Sequence, residues 1–287
     1  APRAGLGTSA LPSLPEPARG SDDVPGHSLT ITRQCAILAA VWMVDSGGSA
    51  MNLIICLTGE AEQLAFLPEI ASLGAGIELG SYGLAGIRSE QQWEARVRLH
   101  QELRARFAGP LAIHGPFLGM EFAHLDHLIR AAVQRRLDML FDVALQLGAG
   151  RIILHSGYTV EMELFDLDEQ WLTGNISFWQ REIQRWADAG IQIVLENDIE
   201  KSPDLLIRLV DGVGAPSLGL CMDIGHQHVF SSLDAPEWVR RMGRRLLHVH
   251  LHDNDRTGEA AEERRAGRWP IHGRLYPPSS PALPGRA

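Results

Sequence analysis

The chain has 287 residues, 45% of them hydrophobic and 21% charged, with a formal charge of −9. That composition excludes wholesale disorder, and the length suits one large core, since an α/β barrel takes about 250 residues. Residues 51–255 hold 17 Lys and Arg against 28 Asp and Glu, a balance of −11, which argues against a nucleic-acid partner because such partners call for a basic footprint.

Residues 1–50 read as a flexible N-terminal extension. Residues 1–34 are rich in Pro, Gly, Ser and Ala with no period of 2 or 3.6, and residues 35–44 (CAILAAVWMV) follow as a short apolar run behind Arg33. The run weakly imitates a secretory leader, but it lies far from the N-terminus, and Met51 opens a clean first strand. Cys35, Cys56 and Cys221 include no C-x-x-C pair, so they supply neither a disulfide framework nor a zinc knuckle. A reducing cytoplasm is the expected setting. No apolar run reaches the roughly 18 residues that span a bilayer, so no membrane partner is expected.

From Met51 short apolar runs alternate with amphipathic segments. Strands are predicted at Asn52–Leu57, Gly76–Leu79, Leu111–His114, Arg151–His155, Gln192–Glu196, Leu218–Asp223 and Leu247–Leu251. A helix is predicted over Ala132–Leu147, with Val133, Leu137, Leu140, Phe141, Ala144 and Leu147 on one face. Gly148, Gly150 and Gly190 punctuate where helix-to-strand turns are expected. Strand–helix alternation implies a parallel sheet with helical crossovers, and seven such units point to a TIM-type (β/α)8 barrel over residues 51–255.

The strands end in ligand-type residues. The third ends in His114, the fourth in His155, the fifth in Glu196, and the sixth in Asp223 with His226 one turn on. The seventh carries His248, His250 and His252 on one face, followed by Asp253; His250 is the expected ligand and His248 the deeper residue. C-terminal strand ends of a barrel converge on one mouth, so these residues become neighbours. An imidazole–carboxylate cluster suits zinc, manganese, cobalt or iron. Singly, each histidine is more often a hydrogen-bonded residue than a ligand, and a buried Glu196 needs a cation of some kind, whether metal or arginine.

The motifs HGPF (His114–Phe117), LHSG (Leu154–Gly157), LEN (Leu195–Asn197), DIGH (Asp223–His226) and HLHDND (His250–Asp255), in this order, resemble the sugar phosphate isomerase/epimerase and AP endonuclease family 2 group, with its xylose isomerase-like barrel. The resemblance implies metal binding by Glu196, Asp223 and His250, and endonuclease IV-like members add ligands at positions matching His114, His155 and His226. It places Glu78 as an acidic residue lining the mouth, with His252 and Asp253 also facing substrate. The activity implied is isomerisation or epimerisation of a sugar or sugar phosphate, with Glu196 moving the proton and His155 as a possible relay. Two alternatives stand beside it: cleavage of phosphodiesters at abasic DNA sites, and a barrel that binds metal or ligand without catalysis. The pattern departs from the family after Asp255. Residues 256–287 hold six Arg and five Pro with no strand–helix rhythm, so the eighth unit, with its metal-binding Glu, is expected to be missing or altered and residues 256–287 to form an irregular tail.

Overall fold

The computed structural model describes residues 40–43, 52–57, 61–83 and 89–251. Seven strands run parallel in chain order: β2 (Asn52–Leu57), β3 (Gly76–Leu79), β4 (Leu111–His114), β5 (Arg151–His155), β6 (Gln192–Glu196), β7 (Leu218–Asp223) and β8 (Leu246–His250). Six of these keep the predicted bounds, and β8 starts and stops one residue earlier than expected. Between them lie α1 (Leu67–Ser72), α2 (Glu90–Arg106), α3 (His127–Leu147), α4 (Val160–Leu164), α5 (Asp168–Asp188), α6 (Asp204–Val213), α7 (Ile224–Phe230) and α8 (Ala235–Met242). None of the described helices is long and apolar enough to cross a membrane.

One strand was not foreseen. β1 (Ala40–Met43), from the segment expected to be wholly flexible, pairs antiparallel with β2, setting Ala40 opposite Ile55 and Met43 opposite Asn52, and it also lies alongside β8. The first parallel strand leaves a row of unpaired backbone groups on its outer edge, which an apolar run can satisfy. Residues 44–51 are too few for the crossover that a parallel partner needs, so the pairing is antiparallel.

Alternation along the strands explains both the core and the site. Ile152, Leu154, Ile193, Leu195, Leu220 and Met222 face the helices, whereas Ile54, Cys56, Ala112, Ile153, Val194 and Cys221 form a separate cluster inside the barrel. Residues two apart share a face, so Glu78, His114, Arg151, His155, Glu196, Asp223, His248 and His250 take the inward side. The helices pack on the outside. Asp126 caps α3 by accepting from the Leu128 amide at 2.8 Å, and the helix buries Val133, Leu137, Leu140, Val143, Ala144 and Leu147. It begins five residues before the predicted start, and Val143 is buried where Phe141 is only partly so.

Gly157, two residues beyond the end of β5, has φ 72°, and a Cβ there would lie 2.7 Å from the Met120 carbonyl. Gly190 has φ 73° with open space around it. The left-handed backbone alone costs about 1–2 kcal/mol for a residue with a Cβ. Gly157→Ala is therefore expected to lower the urea midpoint clearly more than Gly190→Ala, the difference reporting the clash. Equal shifts would mean that the Met120 loop gives way freely.

Candidate metal centre

Glu196 stands at the centre of the inward-facing strand ends and is 1% exposed. Its two oxygens face different partners. Oε2 lies 3.1 Å from His114 Nε2 and 3.8 Å from His155 Nε2; Oε1 lies 3.0 Å from His250 Nδ1 and 3.8 Å from His226 Nδ1. Asp223 Oδ2 approaches His250 Nδ1 at 3.6 Å. Ligand-type atoms of His114, His155 and Glu196 lie within 4.8 Å of one another, as do those of Glu196, Asp223 and His250. The cluster is thus two trios sharing one carboxylate.

Local structure fixes these side chains. His114 Nδ1 donates to the Gly115 carbonyl at 2.9 Å, and His155 Nδ1 donates to Asp198 Oδ2 at 3.1 Å, which turns each Nε2 toward Glu196. Asp223 caps α7 by accepting from the His226 amide at 2.7 Å, and so sets His226 one turn on. Asn197 ties β6 to β7: its amide donates to the Asp223 carbonyl at 3.1 Å and its carbonyl oxygen accepts from the Asp223 amide at 2.8 Å.

The electrostatics fit a cation. Burial raises the Glu196 pKa, but the charges of His250 and His155 and hydrogen bonds from His114 and His250 outweigh it and hold the carboxylate well below its ordinary range. Burial opposes the charged form of His250, yet the negative charges around it, including Glu196 and Glu78, lift it well above its ordinary value. His226 rises to about 9 against burial, under Asp223, Asp198 and Glu196. His155 rises too, against burial, under Glu196 and Asp198. A divalent ion held by either trio would answer the same negative charge, and oxygen with imidazole nitrogen is an ordinary donor set for zinc, manganese, cobalt or iron.

Glu78 lies elsewhere than the mouth. In register it stands opposite Cys56 and Ala112, two residues below His114 on β4, and it is fully buried. It accepts from His248 Nε2 at 3.0 Å and His250 Nε2 at 3.1 Å. A third group of ligand-type atoms, Cys221, His248 and His250, lies at this lower level. His248 has both ring nitrogens engaged there, Nδ1 by the Arg151 guanidinium at 3.3 Å and Nε2 by Glu78, so it has no lone pair for an ion. His252 and Asp253, and the whole of residues 256–287, lie outside the described residues.

Asp198, which holds His155, was not foreseen; it stands two residues after Glu196, beyond the end of β6, where strand alternation no longer applies. Glu200 accepts a short hydrogen bond from Ser156 and one from the Asp198 amide at 2.7 Å, joining the loops after β5 and β6. A separate cavity of about 110 Å³ lies off the cluster, beside Gly157, with Phe122, Leu125, Met162, Trp171 and Asn175 in its wall.

Comparison with known proteins agrees with this architecture. Among curated relatives, the uncharacterised protein MJ1311 of Methanocaldococcus jannaschii is 26% identical over 166 residues, 55% of this chain and 56% of that one; the match thus spans little more than half of its length. The probable endonuclease 4 of Mycobacterium leprae is 22% identical over 185 residues, 61% of this chain and 70% of its own. Among solved structures, the TTHB071 protein of Thermus thermophilus, from a crystal soaked in zinc chloride, shares 28% identity with a TM-score of 0.54, covering 71% of this chain and 78% of its own. A D-tagatose 3-epimerase-like protein has the same fold at 24% identity and a TM-score of 0.52, over 63% and 68% of the two chains. Residues 69–276 match the family described as the xylose isomerase-like TIM barrel. By that match and by its strand succession, the chain belongs to the xylose isomerase-like TIM barrel family.

Proposed function

We propose that the protein is a divalent-metal-dependent enzyme that isomerises or epimerises a sugar or sugar phosphate by proton transfer. The observation that carries this reading is the convergence of Glu196, Asp223 and His250, from three successive strands, at the C-terminal end of the barrel. A divalent ion bound there supplies a Lewis acid for neighbouring sugar oxygens and makes the carbon acid beside a carbonyl easier to ionise. Glu196 is the base in this reading, because it is the carboxylate at the centre of the converging strand ends, within reach of both His155 and His250. His155, steadied by Asp198, stands 3.8 Å from Glu196 as the relay that carries the proton on. The solved neighbour named as an epimerase-like protein supports the fold of such an enzyme, and the family name points the same way.

A second reading, phosphodiester cleavage at abasic DNA, is favoured by one observation. His114 and His155 face the second Glu196 oxygen and make room for a second ion of the kind that activates water. The likeness to a probable endonuclease 4 supports it, and the acidic balance of residues 51–255 opposes it.

One experiment separates them. The manganese- or cobalt-loaded protein is incubated with ketoses, aldoses and their phosphates in D2O and followed by proton NMR. Deuterium should enter at the carbon next to the carbonyl, and Glu196→Gln should abolish the exchange. Nicking of an abasic duplex without any exchange would replace the first reading by the second. Neither activity from a metal-loaded protein would leave a binding barrel.

A further inference from the structure

We infer that Glu78 is a positioning residue that holds the Nε2 proton of His250 and so leaves Nδ1 as the nitrogen that gives up its proton to a metal. The inference rests on the metal reading given above. It begins with Arg151, whose side chain is 6% exposed inside the barrel and can only donate. The guanidinium donates to the Leu247 carbonyl at 2.5 Å and to Gln192, and sits 3.3 Å from His248 Nδ1. That nitrogen must therefore accept, and His248 carries its proton on Nε2. The Nε2 proton points to Glu78 Oε2 at 3.0 Å.

Glu78 receives a second proton on its other side. His250 Nε2 lies 3.1 Å from Oε1 and 3.4 Å from Oε2, while Nδ1 of the same ring donates to Glu196 at 3.0 Å and lies 3.6 Å from Asp223, so the Nδ1 proton is the one that a divalent ion would displace. A carboxylate accepts from both imidazoles at once and donates to neither. Its far-side hydrogen bond sets the tautomer of a ligating histidine and makes the ring a stronger donor, the usual work of an outer partner at a metal site.

The arrangement predicts an asymmetric failure. Glutamine at position 78 has the same shape but offers one acceptor oxygen and an NH2, so one of the two histidines must meet a donor and give up its Nε2 proton. His248 cannot do so without setting Nδ1–H against the guanidinium. The change falls on His250, whose remaining proton stays on Nδ1 and points at Glu196 and Asp223, where the ion should bind. Glu78→Gln is thus expected to keep the fold and weaken zinc binding roughly 10- to 100-fold, as loss of an outer partner does. Adding Arg151→Gln, which can accept, frees His248 to turn and should restore much of the affinity.

The test is zinc titration against a competing chelator, with circular dichroism as the fold control, and long-range proton–nitrogen NMR of the histidine rings. Zinc-loaded wild type should show His250 protonated at Nε2, and Glu78→Gln should show it at Nδ1. Overturning results are a Glu78→Gln protein that binds zinc within about threefold of wild type, or a zinc-loaded wild type with His250 protonated at Nδ1. Tight zinc binding by both proteins defeats this inference alone. Failure of wild type to bind zinc defeats the metal reading with it.

Discussion

Replacing Glu196 by alanine is expected to take the protein from stoichiometric metal to background in elemental analysis after gel filtration. No other single change should do as much. Asp223→Ala or His250→Ala removes a donor from one trio, and His114→Ala from the other, but Glu196 belongs to both. Loss of a shared, charged ligand should exceed the roughly 10- to 100-fold effect of losing an outer partner. Equal metal in Glu196→Ala and wild type would place any ion elsewhere and sink the assignment. Chelator-treated protein adds a pH signature. His155, His226 and His250 have raised pKa values in the fold, so the stability they contribute is complete below their unfolded value of about 6.5 and is lost as pH rises through the folded values, about 9 for His226. Glu196 is depressed, so its contribution is present above about 4.3 and is lost as pH falls through its folded value. Glu196→Ala without metal should therefore be most destabilised between those limits, near neutrality, and approach wild type at alkaline pH. A constant difference at every pH would mean that charge around Glu196 contributes nothing.

Much of this arrangement is legible in the sequence because one rule does most of it. Apolar runs that end in a ligand type fix both the strand and, through alternation, the side that its last residue faces. His114, His155, Glu196, Asp223 and His250 all obey it, and the structure brings their side chains together. Depth is what the rule lacks. Glu78 shares the inward face, but its level depends on the stagger between neighbouring strands, and pairing with Ala112 rather than His114 puts it beneath the mouth. Asp198 and Glu200 lie in a loop, where no period announces a role. β1 escaped for another reason: the apolar run at 35–44 carries no alternation and reads as a weak leader within a flexible extension, and it is the edge of β2 that pairs residues 40–43 as a strand. The departure expected after Asp255 falls outside the described residues, although the family match runs on to residue 276.

The scaffold behind the site carries the second large effect. Trp179 on α5 is fully buried, with Phe122 at 5.0 Å and 62° and Phe178 at 5.2 Å and 87° between ring centroids. Trp179→Ala should cost about 3–5 kcal/mol, the range for deleting a buried aromatic ring, read as a lowered midpoint in urea. The indole nitrogen has no hydrogen-bond partner among the described residues, so Trp179→Phe forfeits only volume. Trp186, equally buried and edge-on to Phe141 at 4.8 Å, donates from its indole nitrogen to Glu182 Oε1 at 3.1 Å. Trp186→Phe loses that bond as well, and hydrogen bonds to charged groups contribute about 1.5–3 kcal/mol. The two phenylalanine variants should therefore separate, with Trp186→Phe the weaker protein. Equal costs would show that neither polar atom matters and that ring volume sets both. Phe122 lies in the connection that leaves His114 for α3, so Trp179 also braces the loop behind that histidine. Trp179→Ala should lose metal affinity along with stability, and Trp179→Phe, which keeps an aromatic ring against Phe122, should lose little of either.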